Sequence, residues 1–327
     1  MLTTPENIRT LQRKLYSKAK QEPGFRFYAL YDKVYRVDIL SHAYDLVRAN
    51  RGSAGIDGRT FKGIEEQEGR DAFLAALCEE LKSRTYRPDS VKRVIIPKGD
   101  GAERPLGIPT IRDRVSQMAV KLVIEPIFEA DFCDNSYGFR PKKSAHDAVD
   151  DVTYSMNTGY TEVIDADLSK YFDTIPHAKL MAVVAERICD GAILEIIQMW
   201  LKAPVMEEDK DGKKRYIGGG KGNRKGTPQG GVISPLLANL YLHLMDRIWK
   251  KHQIERRLGA RIVRYADDFV VLAKQLGSEV VAYIESRLEG KFQLEINRDK
   301  TQGVDLREAR ASLNFLGYTF RYDRDLK

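Results

Sequence analysis

The chain runs to 327 residues, of which 43% are hydrophobic and 31% charged. That is enough apolar material for a packed core, so general disorder is excluded, and no apolar run reaches the length of a membrane span. Lys plus Arg number 54 against 47 acidic residues, and the resulting +7 points to a polyanionic partner. Cys78, Cys133 and Cys189 are scattered, giving neither a disulfide framework nor zinc spacing. The opening MLTTPENIRTLQRKLYSKAK is polar and basic, without the apolar centre of a signal peptide. A cytoplasmic protein with no membrane partner is expected.

Apolar residues at Val37, Leu40, Tyr44 and Val47 predict a helix over 35–50, ending before Arg51-Gly52-Ser53-Ala54-Gly55. Phe73, Leu74, Leu77 and Leu81 predict a second over 71–84. VKRVIIP (91–97) reads as a strand and Lys98-Gly99-Asp100-Gly101 as a tight turn. A helix over 113–132 is expected to break or kink near Pro126. A strand over 163–168 precedes a helix over about 176–201 and a Gly/Lys-rich loop reaching Gly231, whose 210–225 tract reads as mobile and solvated. Ser234-Pro235 opens a helix with Leu236, Leu237, Leu240, Leu244 and Ile248 on one side. Then come a hairpin over 261–273, a helix carrying Val280, Val281, Ile284 and Leu288, and a strand near 292–296. With the Ser234 helix set aside, the order is that of a ferredoxin-like βαββαβ sheet, which would make the 163–168 strand and the hairpin neighbours.

The chemistry concentrates in that pair. RIVRYADDFVVLA (261–273) places Asp267 and Asp268 between two β-branched apolar runs. Carboxylates in so apolar a setting are costly unless paired, and a metal ion is one partner; an ordinary Asp-rich turn is the other reading. In TEVIDADLSKYFDTI (161–175), alternation puts Val163, Asp165 and Asp167 on one face and Ile164, Ala166 and Leu168 on the other. If the two strands are adjacent, Asp167 and Asp267 could hold divalent ions between them. Mg²⁺ favours one or two carboxylates plus substrate phosphates, and two ions ~4 Å apart suit phosphoryl transfer.

Seven blocks in order carry a resemblance: IPKGDGAERPLGIPTIRDRVSQ, NSYGFRPKKSAHDAV, DADLSKYFDTIPH, GTPQGGVISPLLANLYL, YADD, EINRDKT and LNFLGYTF. Over about residues 28–320 the chain resembles the reverse transcriptases encoded by bacterial group II introns. The resemblance implies an α+β right-hand polymerase with fingers and palm, the palm being ferredoxin-like. It implies RNA-directed DNA synthesis with two Mg²⁺ ions (Mn²⁺ able to substitute), from dNTPs, on an RNA template with a DNA or RNA primer. It further implies binding of group II intron RNA and assistance to splicing. The expected organisation is an N-terminal extension and outer fingers over 1–90, fingers over 91–162, palm over 163–322, and at 323–327 a stub leading to an absent thumb.

By the same resemblance Asp167, Asp267 and Asp268 are the catalytic, metal-holding carboxylates, with Asp267 the direct ligand and Asp268 more peripheral. Asp165 shares the face two residues back, as a supporting group or an ordinary polar residue. Asp173 caps the following turn. Phe172 stands where the family puts an aromatic under the incoming sugar, the alternative being a core Phe. Lys98 and Arg104 match triphosphate ligands, Pro228 and Gln229 line the nucleotide pocket, and Lys300 lies near the primer terminus. Tyr137, Arg140, Lys142 and Lys143 form either a template platform or a structural turn. Arg112 and Arg114 open a helix and suit template phosphate or a local salt bridge equally. Two rivals differ in function: an RNA-binding splicing cofactor with a vestigial polymerase, and a reverse transcriptase of a retron or defence system. The Asp167, Phe172, Gln229 and Asp267/Asp268 set argues against decay.

Overall fold

A computed structural model describes residues 2–97, 103–209, 211–299 and 301–322. Lys98, Lys300 and the tight turn expected at 98–101 lie outside the described residues. The strands are β1 (Val91–Pro97), β2 (Glu103–Ile108), β3 (Glu162–Ala166), β4 (Val205–Glu208), β5 (Lys214–Gly218), β6 (Ala260–Tyr265), β7 (Asp268–Ala273), β8 (Gln302–Asp305), β9 (Leu313–Phe315) and β10 (Tyr318–Phe320). The chain divides into two compact units, one from residues 1–131 and 176–237, the other from 132–175 and 238–327.

In the first unit the helix Ile111–Glu129 is the centre, buried along most of its length, with the helices Glu6–Gln21 and Val37–Ala49 packed on it. The break or kink expected at Pro126 does not divide it: one helix runs from Ile111 to Glu129. Proline has no N–H for the carbonyl four residues back, which is that of Leu122. Gln12 Nε2 donates to that oxygen at 3.0 Å, replacing the lost bond. The single helix expected over 176–201 is instead two, His177–Arg187 and Gly191–Leu201. Asp190 makes the break: one carboxylate oxygen accepts from Ala192 N and Ile193 N as an N-cap, and the other accepts from Leu30 N and Tyr31 N at 2.8 and 2.9 Å. The sheet of this unit has the order β2-β1-β4-β5. Part of the tract expected to be mobile is therefore strand β5, which sets Lys214 and Arg215 opposite Glu208 and Glu207 of β4. Opposite charges across a pair of strands favour that register.

At the head of the central helix Thr110 caps by accepting from Asp113 N. The buried Asp113 carboxylate in turn accepts from Tyr86 Oη at 2.6 Å, Asp89 N at 3.0 Å and Thr110 Oγ1 at 2.9 Å, and Trp200 Nε1 donates to Tyr86. Burial pushes the Asp113 carboxyl up to about 6, although the Tyr86 and Thr110 hydrogen bonds pull the other way. A free Asp titrates near 3.9, so between about pH 4 and pH 6 the folded state binds the additional proton. Stability from this group therefore falls as pH rises through that window. The difference in unfolding free energy between the wild type and Asp113→Asn should decline by roughly 2 kcal/mol from pH 4 to pH 7. Thermal or denaturant melts across that range check it, and a difference curve that stays flat contradicts it.

In the second unit β3, β6, β7 and β8 form one antiparallel sheet of order β6-β7-β3-β8. The helix between Ser278 and Glu285 passes into a π-helical turn, Ser286–Lys291. The strand expected near 292–296 is not formed, and β8 takes the place beside β3. The alternation that suggested a strand is real, since Phe292, Leu294 and Ile296 are all buried. Their backbone goes elsewhere: Leu294 N donates to Leu288 O, and the Glu295 carbonyl accepts from Ser169 N. Register puts Val163, Asp165, Val270, Leu272 and Val263 on one sheet face. That face packs against Ala148, Val152 and Met156 of the helix Ala145–Asn157 and against Leu313 and Phe315 of the β9–β10 hairpin. Ile164, Ala166, Phe269, Val271, Ile262 and Arg264 share the opposite face. The carboxylate-bearing face is thus apolar along most of its length and acidic only at the end where β3 finishes.

Candidate active site

Tyr265 pairs with Asp268, which leaves Ala266 and Asp267 as a two-residue hairpin loop. Ala266 has φ 57, a left-handed conformation that costs an L-residue roughly 1–2 kcal/mol. Several contacts hold it there. Tyr137 N donates to Arg264 O at 2.8 Å and Arg264 N to Asn135 O at 2.9 Å, so residues 135–137 run along the outer edge of β6. Gly138 follows, so close that a Cβ on it would stand 2.4 Å from Ala266 N. Only glycine fits at that position. The Arg264 side chain, 1% exposed, then donates to the Ala266 carbonyl at 2.9 Å. Its remaining donors go to Asp246, to Asn239 Oδ1 at 2.9 Å and to Ser136 Oγ at 2.6 Å. Asn239 Nδ2 closes the set by donating to Gly138 O at 2.6 Å.

Asp267 is half-buried in this bend and Asp268 exposed at the first position of β7. Asp167 sits one residue past β3. The β3–β7 register ends at Ala166↔Phe269, and one further step sets Asp167 opposite Asp268. Asn297 Nδ2 donates to Asp167 Oδ2 at 2.9 Å, and Asn297 N donates to the Asp167 carbonyl at 2.9 Å. Asp165 is held above the usual carboxylate range by burial and then by the neighbouring Asp167. Negative charge accumulates at this end of the sheet, which suits a cation. Among the described residues, no group of three or more His, Cys, Asp or Glu side chains converges to hold a metal. The protein alone thus gathers no three-carboxylate cage from Asp167, Asp267 and Asp268.

Phe172 lies in the short helix Tyr171–Thr174, 6% exposed, with its ring edge-on to Tyr171 at 5.6 Å. Tyr171 is buried and donates to Ala238 O at 2.7 Å. Tyr137 is also buried, its hydroxyl on Asp151 at 2.8 Å and Lys143 over its ring. Arg140 donates to the Cys133 and Ser136 carbonyls and lies over Phe132. These are the contacts of a structural turn. Lys142 is exposed, with φ 61.

The first unit holds Arg104, Arg112, Pro228 and Gln229 among the expected residues. Arg104 Nε donates to Gln229 Oε1 at 3.2 Å, and Gly107 N donates to the Gln229 carbonyl at 2.6 Å. The loop and strand β2 are so close that a Cβ on Gly230, at φ 114, would meet Gly107 O at 2.5 Å. Pro228 packs beside Gly107. Thr227 Oγ1 donates to Ser234 Oγ, and the buried His177 ring is hydrogen-bonded to the Gly226 carbonyl at 2.6 Å. Arg112 pairs with Glu80 and Asp89, forming the local salt bridge of its two readings, and lies over Tyr86.

Residues 96–320 match the family described as reverse transcriptase (RNA-dependent DNA polymerase). The chain belongs to the reverse transcriptase family. This reverse transcriptase is 34% identical to protein YkfC of Escherichia coli K12, over 90% of its own length and 84% of that protein. It is 29% identical to the group II intron-encoded protein LtrA of Lactococcus lactis, covering 91% of this chain and 57% of that one. It is thus an RNA-directed DNA polymerase family enzyme of the kind related to group II intron-encoded proteins. Among solved structures, apo telomerase from Candida tropicalis has a similar fold, with a TM-score of 0.53 at 13% identity over 72% of this chain and 47% of that one. The fold is a mixed α/β reverse-transcriptase type. Among the described residues no helix is long and apolar enough to cross a membrane.

Arg264, Asp246, Asn239 and Asn297 were not anticipated from the sequence. Arg264 and Asp246 were legible in principle. Strand alternation puts Arg264 on the buried face with Ile262, and helical spacing puts Asp246 beside Leu242 and Trp249, so each buried charge required a partner.

Proposed function

We propose that this reverse transcriptase extends a primer 3′-hydroxyl on an RNA template, with Asp167 and Asp267 as the carboxylates that hold two Mg²⁺ ions, Mn²⁺ substituting. The observation that carries the proposal is the sheet order, which makes β3, ending one residue before Asp167, the direct neighbour of the strand beginning at Asp268. The order β6-β7-β3-β8 supports reading this sheet as ferredoxin-like βαββαβ and the second unit as palm. Fingers are assigned to β1, β2 and the helices around Ile111–Glu129. Bound ions would lower the pKa of the attacking hydroxyl and stabilise charge on departing pyrophosphate.

The protein's own part is to position. Asn297 orients the Asp167 carboxylate, and Gly138 and Arg264 fix the bend that carries Asp267. Arg104, pre-set by Gln229, is assigned to the triphosphate, together with Lys98; Pro228 and Gln229 line the pocket, and Lys300 serves the primer end. Asp268 supports from the periphery. The exposed Lys142 is assigned to template backbone, with intron RNA as a further partner.

Template-dependent incorporation of dTTP on poly(rA)/oligo(dT), lost with EDTA and restored by Mg²⁺, is the expected result. No incorporation under any divalent ion would contradict the reading and favour a splicing cofactor without polymerase activity. RNA binding should also weaken steeply with salt, because basic side chains release counterions from phosphate. Titrations at 50 and 200 mM salt should differ by at least about tenfold in affinity. Equal affinity at the two concentrations would remove the electrostatic interface.

A further inference from the structure

We propose that Arg264 is a positioning residue for catalysis, holding the hairpin bend in the conformation that presents Asp267, with Asp246 and Asn239 holding Arg264 in turn. This rests on the reading of Asp267 as a metal-holding carboxylate. A guanidinium that is 1% exposed is tolerated only when its charge and every N–H are matched. Here all are: Nε and Nη2 donate to Asp246, Nη2 also to Ser136 Oγ, and Nη1 to Asn239 Oδ1 and the Ala266 carbonyl. Asp246 alone would neutralise the charge. The additional donor on Ala266 does something else, because that carbonyl belongs to the peptide joining Ala266 to Asp267. Fixing the plane of this peptide fixes ψ of Ala266 and φ of Asp267, the torsions that aim the Asp267 carboxylate. The same loop residue is the left-handed Ala266, which has an intrinsic tendency to relax, and Gly138 closes its other side.

Lysine offers three donors from one point and cannot span acceptors on four different residues. Arg264→Lys keeps the charge opposite Asp246 and loses the fork that reaches Ala266. Arg264→Met/Asp246→Leu removes both buried charges together, avoiding the unpaired carboxylate that Arg264→Met alone would leave. For each variant, four quantities are measured: the melting midpoint, primer–template affinity, the single-turnover incorporation rate, and Mn²⁺ binding by electron paramagnetic resonance without nucleotide. The expected result is incorporation at least about tenfold slower, and Mn²⁺ held about threefold or more weakly, at unchanged primer–template affinity and after correction for folded fraction. Wild-type rate and Mn²⁺ affinity in folded Arg264→Lys would overturn the inference, as would losses that vanish once corrected for folded fraction. Asp267→Asn is the reference: if it keeps both rate and Mn²⁺ binding, the site reading itself fails. If Asp267→Asn loses them while Arg264→Lys does not, only the positioning role fails.

Discussion

Asp267→Asn should slow primer extension by about three orders of magnitude or more while leaving the fold and RNA affinity close to wild type. The size follows from losing a ligand to ions that stabilise several kcal/mol of transition-state charge. The amide has the shape of the carboxylate, so the bend should survive. The scaffold of that bend lies in groups the substitution leaves in place: Gly138 against Ala266 N, the Arg264–Ala266 hydrogen bond, and the pairing of Tyr265 with Asp268. The melting midpoint should shift by only a few degrees. Asp268→Asn should cost less, since Asp268 is exposed at the start of β7. Single-turnover extension, with binding measured in parallel by filter or anisotropy titration, separates the two effects. Extension by Asp267→Asn at the wild-type rate would remove Asp267 from the mechanism.

The second large effect is expected at Phe172. Replacing it with Val should raise the ratio of GTP to dGTP incorporation at least about tenfold, by removing a steric penalty against the 2′-hydroxyl. The ring lies five residues beyond Asp167 and is held edge-on against Tyr171, whose hydroxyl is fixed on Ala238 O. A ring so restrained makes a stiff wall. Its 6% exposure also means that truncation opens space, so about 2 kcal/mol of stability should be lost as well. These outcomes are separable: the nucleotide ratio reports selection and the melting midpoint reports packing. A lower midpoint with an unchanged ratio would make Phe172 a core residue and nothing more.

Much of this arrangement was legible in the sequence because its signals are local. Alternation along 163–168, the two apolar runs flanking YADD, and the Ser234-Pro235 helix start each follow from side chains a few residues apart. The elements found differently are those decided by distant groups. Pro126 leaves its helix unbroken because Gln12 reaches the orphaned Leu122 carbonyl. The helix expected over 176–201 breaks because Asp190 is shared with Leu30 and Tyr31. The segment 292–296 alternates like a strand, yet the edge of β3 is taken by β8. At the candidate site, the acidic residues and the buried Arg264 and Asp246 follow from local pattern, whereas the distant groups that hold them do not. Asn297 stands 130 residues from Asp167, and Ser136 stands 128 from Arg264. The NSYGFRP block shows the same limit: aromatic and basic residues in a row suit a template surface, but Tyr137 is buried and Gly138 buttresses the bend.

The central claim is that Asp167 and Asp267, just beyond the ends of adjacent strands, act as one divalent-ion site. A double-mutant cycle on Mn²⁺ affinity tests it most directly, using electron paramagnetic resonance on the wild type, Asp167→Asn, Asp267→Asn and the double variant, each with primer–template bound. If the carboxylates share the ions, each single variant should lose most of the binding. The double variant should then be little worse than either, a strongly non-additive result. Mn²⁺ affinities that fall independently and add, or that ignore one of the two residues, would contradict the shared site.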